Sequence, residues 1–485
     1  MNLYFTGHGE KYAVEQTLLT LFPQERPVYP DTPPGGDNEL ELSFTRGAAW
    51  ATARATLRRA GKTYHRQSRV PVADLSDSDP VQTTRLIRRA LQRAFYRAAV
   101  DCLGTEPPWG MLSGVRPVKL PTRAMEAGAT PRQAEKMLRE LYRVSPLRRK
   151  LAMDCARASL AVKRDLKPEE VSLYVGIPFC PTRCAYCSFI SASGSANKLI
   201  PTYLDALLEE IDGAGEALRK AGKTVRTVYI GGGTPTTLAA PQLKTLLDRL
   251  HTAFSLTPGT ELTVEAGRPD TITREKLLAL KEGGANRISV NPQTMSDEVL
   301  AAIGRSHRAA DIRAAYALAR EAEVGAINMD LIAGLPADTL AGFQRTVEEV
   351  IALDPENITV HTLALKRGAR LRQEDTPLPD GTTVAAMLDF AWAALRQAGY
   401  VPYYLYRQKF MSGSFENVGW CKPGWASEYN ICMMEELHTV LSLGAGGVTK
   451  FIGEGTVRRS ANPKYPQEYL QNIHRITAEK AAWTW

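Results

Sequence analysis

The sequence predicts an α/β protein in which a parallel sheet with flanking helices is preceded by an α+β domain and followed by a C-terminal cap. Three observations lead there. Beyond residue 170 six short β-rich runs recur, at 172–177, 224–230, 261–265, 287–291, 326–332 and 357–363. Helical stretches fall between them, at 203–221, 241–254, 274–282, 309–323 and 340–353. Strands alternating with helices in this way are βαβ units, whose right-handed crossovers make the strands parallel. The pattern stops on both sides, which divides the chain into an N-terminal domain over 1–167, the repeating part over 168–367 and the cap over 368–485.

The N-terminal part reads as mixed. Residues 39–44 alternate, and 50–57 with 63–70 are expected to form a hairpin over Ala60-Gly61. Helical periodicity runs through 81–103 and again, as one stretch, through 131–163. Between them 107–120 is rich in Gly and Pro and is expected to be a turn cluster. After Arg367, a helix over 383–398 leads into Tyr400-Val-Pro-Tyr-Tyr-Leu-Tyr406 and a glycine-rich segment.

At 485 residues, 44% hydrophobic and 23% charged, the composition is that of a globular protein with room for two or three cores. Seven cysteines, an odd number, argue against a secreted disulfide scaffold. No signal peptide is read at the start, and no apolar run approaches the roughly 18 residues of a membrane helix, so a cytoplasmic protein is expected. The net charge of +8 is concentrated: residues 81–164 hold 18 Lys and Arg against 6 Asp and Glu. Arg85, Arg89, Arg93 and Arg97 recur at i, i+4, while Leu86, Ile87, Leu91 and Phe95 take other sectors of the same helix. Such a stripe is either a solvated face or a docking surface for a polyanion.

The richest segment is Gly176-Ile-Pro-Phe-Cys-Pro-Thr-Arg-Cys-Ala-Tyr-Cys-Ser-Phe189, on a loop directly after the first β-run. Cys180, Cys184 and Cys187, spaced C-x3-C-x2-C, supply three soft thiolates, enough for three irons of a cubane cluster. The fourth iron then stays open to a small molecule, which points to an enzyme. A structural zinc site would need a fourth ligand, usually from a second close pair, and three cysteines do not pair evenly as disulfides. Gly231-Gly-Gly-Thr-Pro235 follows the second run, where missing Cβ atoms let backbone amides approach a ligand. Glu265, Asn291, Gln293, Arg305 and Asp330 lie at or just beyond later strand ends and form a ring of donors and acceptors suited to a ribose and an amino acid.

The cysteine loop, with Tyr186 before its third cysteine, closely resembles the radical S-adenosylmethionine (SAM) signature. The strings Tyr174-Val-Gly-Ile-Pro-Phe-Cys180, Gly231–Pro235, Arg287-Ile-Ser-Val-Asn-Pro-Gln293, Gly304-Arg-Ser-His307 and Asp330–Pro336 resemble the oxygen-independent coproporphyrinogen III oxidase family. Val360-His-Thr-Leu-Ala-Leu-Lys-Arg367, Glu416-Asn-Val-Gly-Trp420, Met434-Glu-Glu436 and Leu112-Ser-Gly-Val-Arg-Pro117 are most similar to its HemZ-type dehydrogenase branch. This resemblance implies a partial (β/α)6 radical SAM barrel, with the site at the C-terminal strand ends. It implies a [4Fe–4S] cluster on Cys180, Cys184 and Cys187, whose reduction cleaves SAM to methionine and a deoxyadenosyl radical. It assigns Gly232, Gly233, Thr234, Glu265, Gln293, Arg305, Asp330 and Ala364 to the SAM pocket, and Tyr174 to the cofactor region. The best-known branch has His in place of Gly176 and Cys in place of Phe189, so roles of those side chains do not transfer.

The implied reaction is radical decarboxylation of two propionates of coproporphyrinogen III to give protoporphyrinogen IX, with a reductant and an electron acceptor, protein or small molecule, as partners. A tetrapyrrole needs an apolar cavity and cations for its carboxylates, for which Arg183, Arg308, Lys366, Arg367, Lys409 and Lys422 are candidates. Cys102, Cys155, Cys421 and Cys432 have no ligand-like spacing and are expected to be buried apolar residues. His361 reads as a core or strand-mouth residue ahead of a haem ligand. Competing functions are a haem chaperone, a radical tetrapyrrole methyltransferase and, ranked last for lack of an RNA-binding motif, an RNA-modifying role.

Overall fold

The computed structural model describes residues 1–32, 35–76, 78–114, 116–188, 192–366, 368–374, 376–408, 415–453 and 456–483. They form two compact units, the first built mainly from Met1–Pro117 and Ala124–Lys150, the second mainly from the chain after Leu151.

In the first unit β1 (Asn2–Thr6), α1 (Lys11–Leu21), β2 (Glu39–Arg46), β3 (Trp50–Arg59), β4 (Lys62–Pro71) and α2 (Pro80–Leu103) follow in order. The sheet runs β1-β2-β3-β4, with β1 parallel to β2 and the rest antiparallel. Its buried face alternates, as in Ala51, Ala53, Ala55 and Leu57 of β3, and shares one core with Leu18 of α1 and Leu91, Phe95 and Ala98 of α2. The expected hairpin is present, and Ala60 (φ 51°) and Gly61 (φ 72°) both take the left-handed conformation of a two-residue turn matched to strand twist. β1 and α1 have no counterpart in the sequence reading: β1 has five residues, and α1 separates polar from apolar residues only weakly.

Helices α3 (Lys119–Glu126), α4 (Pro131–Glu140) and α5 (Pro146–Asp165) follow. The single helix expected over 131–163 is therefore two. Arg143 is left-handed (φ 56°), and Pro146, which has no N–H and restricts Ser145, starts the next helix. The turn cluster expected over 107–120 ends in the first residues of α3. The arginine stripe lies along α2, where Arg93 and Arg97 border a concavity with Gln67, Ser68 and Arg69 of β4.

The second unit contains the expected parallel array. β5 (Glu170–Ile177), the two-residue strands β6 (Phe179–Cys180) and β7 (Ala192–Ser193), and α6 (Ile200–Lys220) open it. β8 (Thr224–Gly232), α7 (Ala240–Phe254), β9 (Glu261–Glu265), α8 (Arg274–Glu282) and β10 (Arg287–Ser289) continue. Then come α9 (Asp297–Ala302), α10 (Ala309–Glu321), β11 (Ala326–Ala333), α11 (Leu340–Leu353) and β12 (Asn357–Thr362). The strands β5, β8, β9, β10, β11 and β12 are neighbours in that order and all parallel, as the six βα units read from the sequence predict.

After α12 (Arg370–Gln373) and α13 (Gly381–Gln397), the strands β13 (Val401–Arg407) and β14 (Glu416–Cys421) extend the β12 edge antiparallel. Beyond α14 (Glu428–Glu435), β15 (Val440–Leu443) adds parallel to β5, and β16 (Val448–Gly453) with β17 (Thr456–Ala461) complete that edge. Among the described residues the sheet is thus an open array of eleven strands, with the C-terminal region contributing to both edges. Helices α15 (Pro466–Gln471) and α16 (Ile473–Ala481) end the fold, and α16 lies against α6.

That last contact is locked by charge. Glu210 of α6, fully buried, accepts from Lys480 Nζ, Tyr469 Oη (2.6 Å), Asn462 Nδ2 (2.7 Å) and the Gly444 amide (2.7 Å). Lys480 also donates to the Ser442 carbonyl at 2.6 Å. Removing one partner strands a buried charge, so Lys480→Ala is expected to lower unfolding free energy by about 3–5 kcal/mol. Urea denaturation checks this; an unchanged midpoint would show that solvent reaches Glu210.

Candidate active site

Along β11 the side chains alternate. Ala326, Asn328, Asp330 and Ile332 line a cavity of about 500 Å³, and Ile327, Met329, Leu331 and Ala333 are buried on the other side of the strand. In register, Asp330 pairs with Thr359 and Ile332 with His361 of β12, and Tyr174 of β5 pairs with Tyr229 of β8, so all of these reach the same space. The interior of the array is therefore an open cavity, with polar side chains set in apolar surface, where closed βα barrels are packed.

All twelve residues predicted for the site line this cavity: Cys180, Cys184, Cys187, Tyr174, Gly232, Gly233, Thr234, Glu265, Gln293, Arg305, Asp330 and Ala364. The three thiols are half-buried. Their loop is tied down by its backbone: the Ala185 amide donates to Ile303 O (3.0 Å), the Leu371 amide to Ala185 O (3.1 Å) and the Cys187 amide to Cys184 O (3.1 Å). Thr234 Oγ1 donates toward Cys180 Sγ at 3.6 Å.

The glycine turn packs directly on this loop. The Gly233 amide donates to Ile177 O (2.8 Å) and the Thr234 amide to Phe179 O (2.7 Å). A Cβ on Gly233 would overlap the Phe179 carbonyl, and Gly232 sits at φ 112°, open to glycine alone. Glu265, at the end of β9, accepts from Tyr229 Oη at 2.5 Å and from the Gly232 amide at 3.3 Å. Burial pushes its pKa up to about 7; the Tyr229 bond works against this and the charge of Asp330 adds to it.

Asp330 behaves oppositely. Burial would raise its pKa too, but hydrogen bonds and charge from His361, with Asn328 and Thr359, outweigh it and hold the group below its ordinary value. Asn328 Nδ2 donates to Asp330 Oδ1 at 2.7 Å, and His361 Nε2 lies 3.6 Å from Oδ2. Gln293 holds a left-handed backbone (φ 68°), fixed because its amide donates to Asp330 O (2.8 Å) and its carbonyl accepts from Ile332 (3.0 Å). Strain that neighbours over-determine in this way is common at ligand sites. Arg305, 8% exposed, donates through Nη2 to Tyr186 Oη at 3.1 Å, while its Nε and Nη1 are buried without a hydrogen-bond partner.

Of the proposed carboxylate-binding cations, Arg183 and Lys366 line the cavity and both are exposed. Lys422 instead pairs with Asp354 at 2.8 Å, and Arg308 caps α10; neither lines the cavity. Arg367, Lys409 and Phe189 lie outside the described residues. Cys155, Cys421 and Cys432 are buried as expected, and burial pushes the pKa of Cys421 and Cys432 up to about 12, whereas Cys102 is only half-buried. None of these four lines the cavity. His361 lines its wall beside Asp330.

Sequence reasoning missed the aromatic wall. Tyr229, Tyr403, Tyr404, Tyr406 and Tyr429 line the cavity with Met433 and Met434. Tyr229 stacks on Tyr429 at 4.6 Å and Tyr404 on Tyr406 at 6.4 Å. A strand presents alternate residues to one face, so adjacent Tyr403 and Tyr404 should not share the cavity. They do because the β13–β14 register shifts between Pro402 and Tyr404. The tyrosine-rich string was visible, but the bulge was not.

Six parallel βα units carrying a C-x3-C-x2-C loop at the mouth of a polar interior define a radical SAM protein. The family model described as the radical SAM superfamily matches residues 174–350. The chain is 40% identical over 386 residues to the oxygen-independent coproporphyrinogen-III oxidase-like protein HemZ of Bacillus subtilis (strain 168), covering 78% of this chain and 77% of that protein. It is 28% identical over 307 residues to the heme chaperone HemW of Escherichia coli (strain K12), covering 63% and 77%. The solved structure of coproporphyrinogen III oxidase (HemN) from Escherichia coli, described as a radical SAM enzyme, aligns with TM-score 0.54 and 26% identity over 66% of this chain and 73% of that one. The chain belongs to the radical SAM coproporphyrinogen-oxidase family.

Proteins of this family use a [4Fe–4S] cluster and SAM, and the residues present fit both. Three half-buried thiols of soft character face one cavity, the glycine turn leaves room for a ligand, and Arg305 has buried N–H groups with no acceptor. Among the described residues no three His, Cys, Asp or Glu side chains converge on a single ion. A cubane does not require that, because each thiolate binds its own iron. No helix among the described residues is long and apolar enough to cross a membrane.

The Glu265 environment gives a pH test on the ligand-free protein. Its carboxyl is neutral in both folded and unfolded states at low pH. The unfolded group ionises first as pH rises, so Glu265 progressively destabilises the fold up to about pH 7. Glu265→Gln, always neutral, is expected to raise the Tm at pH 8 and to leave it nearly unchanged at pH 4. Equal shifts at both values would show that Glu265 is solvated. Gly233→Ala is expected to weaken SAM binding at least tenfold by pushing the turn off Phe179, measurable by equilibrium binding.

Proposed function

We propose that the protein catalyses oxygen-independent oxidative decarboxylation of coproporphyrinogen III to protoporphyrinogen IX. The observation that carries this is one continuous cavity that holds the cysteine loop, the glycine turn, a wall of tyrosines and methionines, and the exposed cations Arg183 and Lys366. The extensive match to a coproporphyrinogen-III oxidase-like relative supports it.

When bound, a reduced [4Fe–4S] cluster and SAM supply hydrogen-atom abstraction from an unactivated carbon. Cys180, Cys184 and Cys187 would each hold one iron. Gly232, Gly233 and Thr234, whose amides are engaged by Glu265, Ile177 and Phe179, would set the backbone of the turn against the amino-acid end of SAM. Arg305 would give its unpartnered N–H groups to an anion. Glu265, Gln293, Asp330 and Ala364 would surround the rest of the molecule, with Tyr174 behind the turn. Ionised Asp330, oriented by Asn328 and His361, suits ribose hydroxyls or an amino group as an acceptor. The tyrosine wall would hold the tetrapyrrole face, and Arg183 and Lys366 its carboxylates. Each of the two reacting propionates would lose one hydrogen atom to the deoxyadenosyl radical, one electron to an acceptor, and CO2, leaving a vinyl group. A low-potential reductant and that acceptor are the expected partners.

A second reading is a haem carrier, favoured by the HemW relatives and by His361 on the cavity wall. Anaerobically reconstituted protein given SAM, dithionite, coproporphyrinogen III and an electron acceptor is expected to remove two carboxyl groups in succession, seen by mass spectrometry. Cys184→Ala is expected to abolish this. Unchanged tetrapyrrole together with tight, stoichiometric haem binding, weakened by His361→Ala, would replace the decarboxylase by the carrier.

A further inference from the structure

We propose that Arg268 is a positioning residue that clamps the first half of the cysteine loop and so fixes the cluster relative to the SAM-side carboxylate of Glu265. It rests on the assignment of the cluster to Cys180, Cys184 and Cys187, and not on the identity of the tetrapyrrole.

The two halves of the loop are held differently. Residues 184–187 are secured by main-chain hydrogen bonds to Ile303, Leu371 and each other. Among the described residues, 181–183 make no main-chain hydrogen bond to other backbone. Thr182, midway between the first two cysteines, is gripped instead by a side chain. Arg268 Nη1 donates to the Thr182 carbonyl (3.2 Å) and to its hydroxyl (2.8 Å). The other edge of the guanidinium is held in a fork: Nε donates to Asp270 Oδ1 (2.9 Å) and Nη2 to Asp270 Oδ2 (2.7 Å).

The guanidinium of the fork is buried, Arg268 being 3% exposed, and it lines the cavity, while Asp270 and Thr182 lie at the surface. A planar guanidinium with both edges engaged transmits position, which a flexible ammonium does not. Arg268 stands three residues beyond Glu265, whose carboxylate touches the Gly232 amide. One rigid turn after β9 therefore connects the segment between two iron ligands to the segment facing SAM. Groups that orient metal ligands without touching the metal typically tune affinity and electronic structure.

The test uses full-length, anaerobically reconstituted protein with Arg268→Gln, Arg268→Lys, Asp270→Asn and the Arg268→Gln/Asp270→Asn double variant. Measured are iron per chain, the EPR spectrum of the reduced cluster with and without SAM, SAM affinity, and cooperative thermal unfolding. Arg268→Gln is expected to unfold cooperatively and to take up iron. Its EPR spectrum should differ from the parent, and SAM should bind roughly 10–100-fold more weakly, the usual range for an orienting group. Asp270→Asn should shift both readouts in the same direction. Arg268→Lys should resemble Arg268→Gln, since the charge without the fork does not restore the grip. The double variant should be no worse than Arg268→Gln alone, because the pair acts as a unit.

Parent-like EPR and SAM affinity in Arg268→Gln and Asp270→Asn would overturn the clamp, as would full recovery by lysine or simple additivity in the double variant. Should Arg268→Gln fail to unfold cooperatively, Asp270→Asn and Arg268→Lys decide by the same readouts. Cys184→Ala separates the two levels: a parent with no Cys184-dependent cluster overturns the assignment and the clamp together, whereas a normal parent with unaffected variants overturns the clamp alone.

Discussion

At the mouth of the strand array two backbone segments approach more closely than side chains permit, and the site is arranged around that approach. The amides of Gly233 and Thr234 donate to the carbonyls of Ile177 and Phe179, on the chain that leads directly into Cys180. Without Cβ atoms the turn rests directly on the loop. Cys180 then sits beside the Thr234 hydroxyl, and Glu265 reaches the Gly232 amide from the next strand. The cysteine loop and the glycine turn are in this way one hydrogen-bonded surface.

The interior beneath it uses polarity where closed barrels use packing. Asn328, Asp330, Thr359 and His361 point inward from β11 and β12, and Tyr174 and Tyr229 from β5 and β8. Two carboxylates in this space are driven apart. Glu265 has a tyrosine and one long amide contact to offset burial, and its pKa rises to about 7. Asp330 has His361, Asn328 and Thr359 and stays ionised. Environment gives the same functional group two roles, a near-neutral carboxyl by the glycine turn and a fixed negative charge deeper along the wall.

Charges outside the cavity do structural work. Glu210 and Lys480 join α6 to α16, drawing Tyr469, Asn462 and the Gly444 amide into one buried network. Through Gly444 that network reaches the end of β15, the strand that extends the parallel array beside β5. The cysteine loop follows β5, so the C-terminal helices brace the strand from which the site begins.

Local spacing in the sequence determined the six strands and their intervening helices, the cysteine loop, the glycine turn and the polar residues at the strand ends. The physical reason is that these depend on short-range properties: alternation along a strand, helical periodicity, and glycine where two backbones must approach closely. β1 escaped because five residues hold too little periodicity, α1 because its polar and apolar residues separate only weakly, and the join between α4 and α5 because Pro146 is also an ordinary first residue of a helix. Tertiary structure alone decided what no spacing encodes. Arg268 finds Thr182 across a separation of 86 residues. Tyr403 and Tyr404 enter the cavity together only because pairing with β14 slips. Lys422 turns to Asp354 while Lys366 lines the cavity. Which residues are capable of chemistry is set by their type and local spacing; which of them meet is set by strand register and close packing between distant segments.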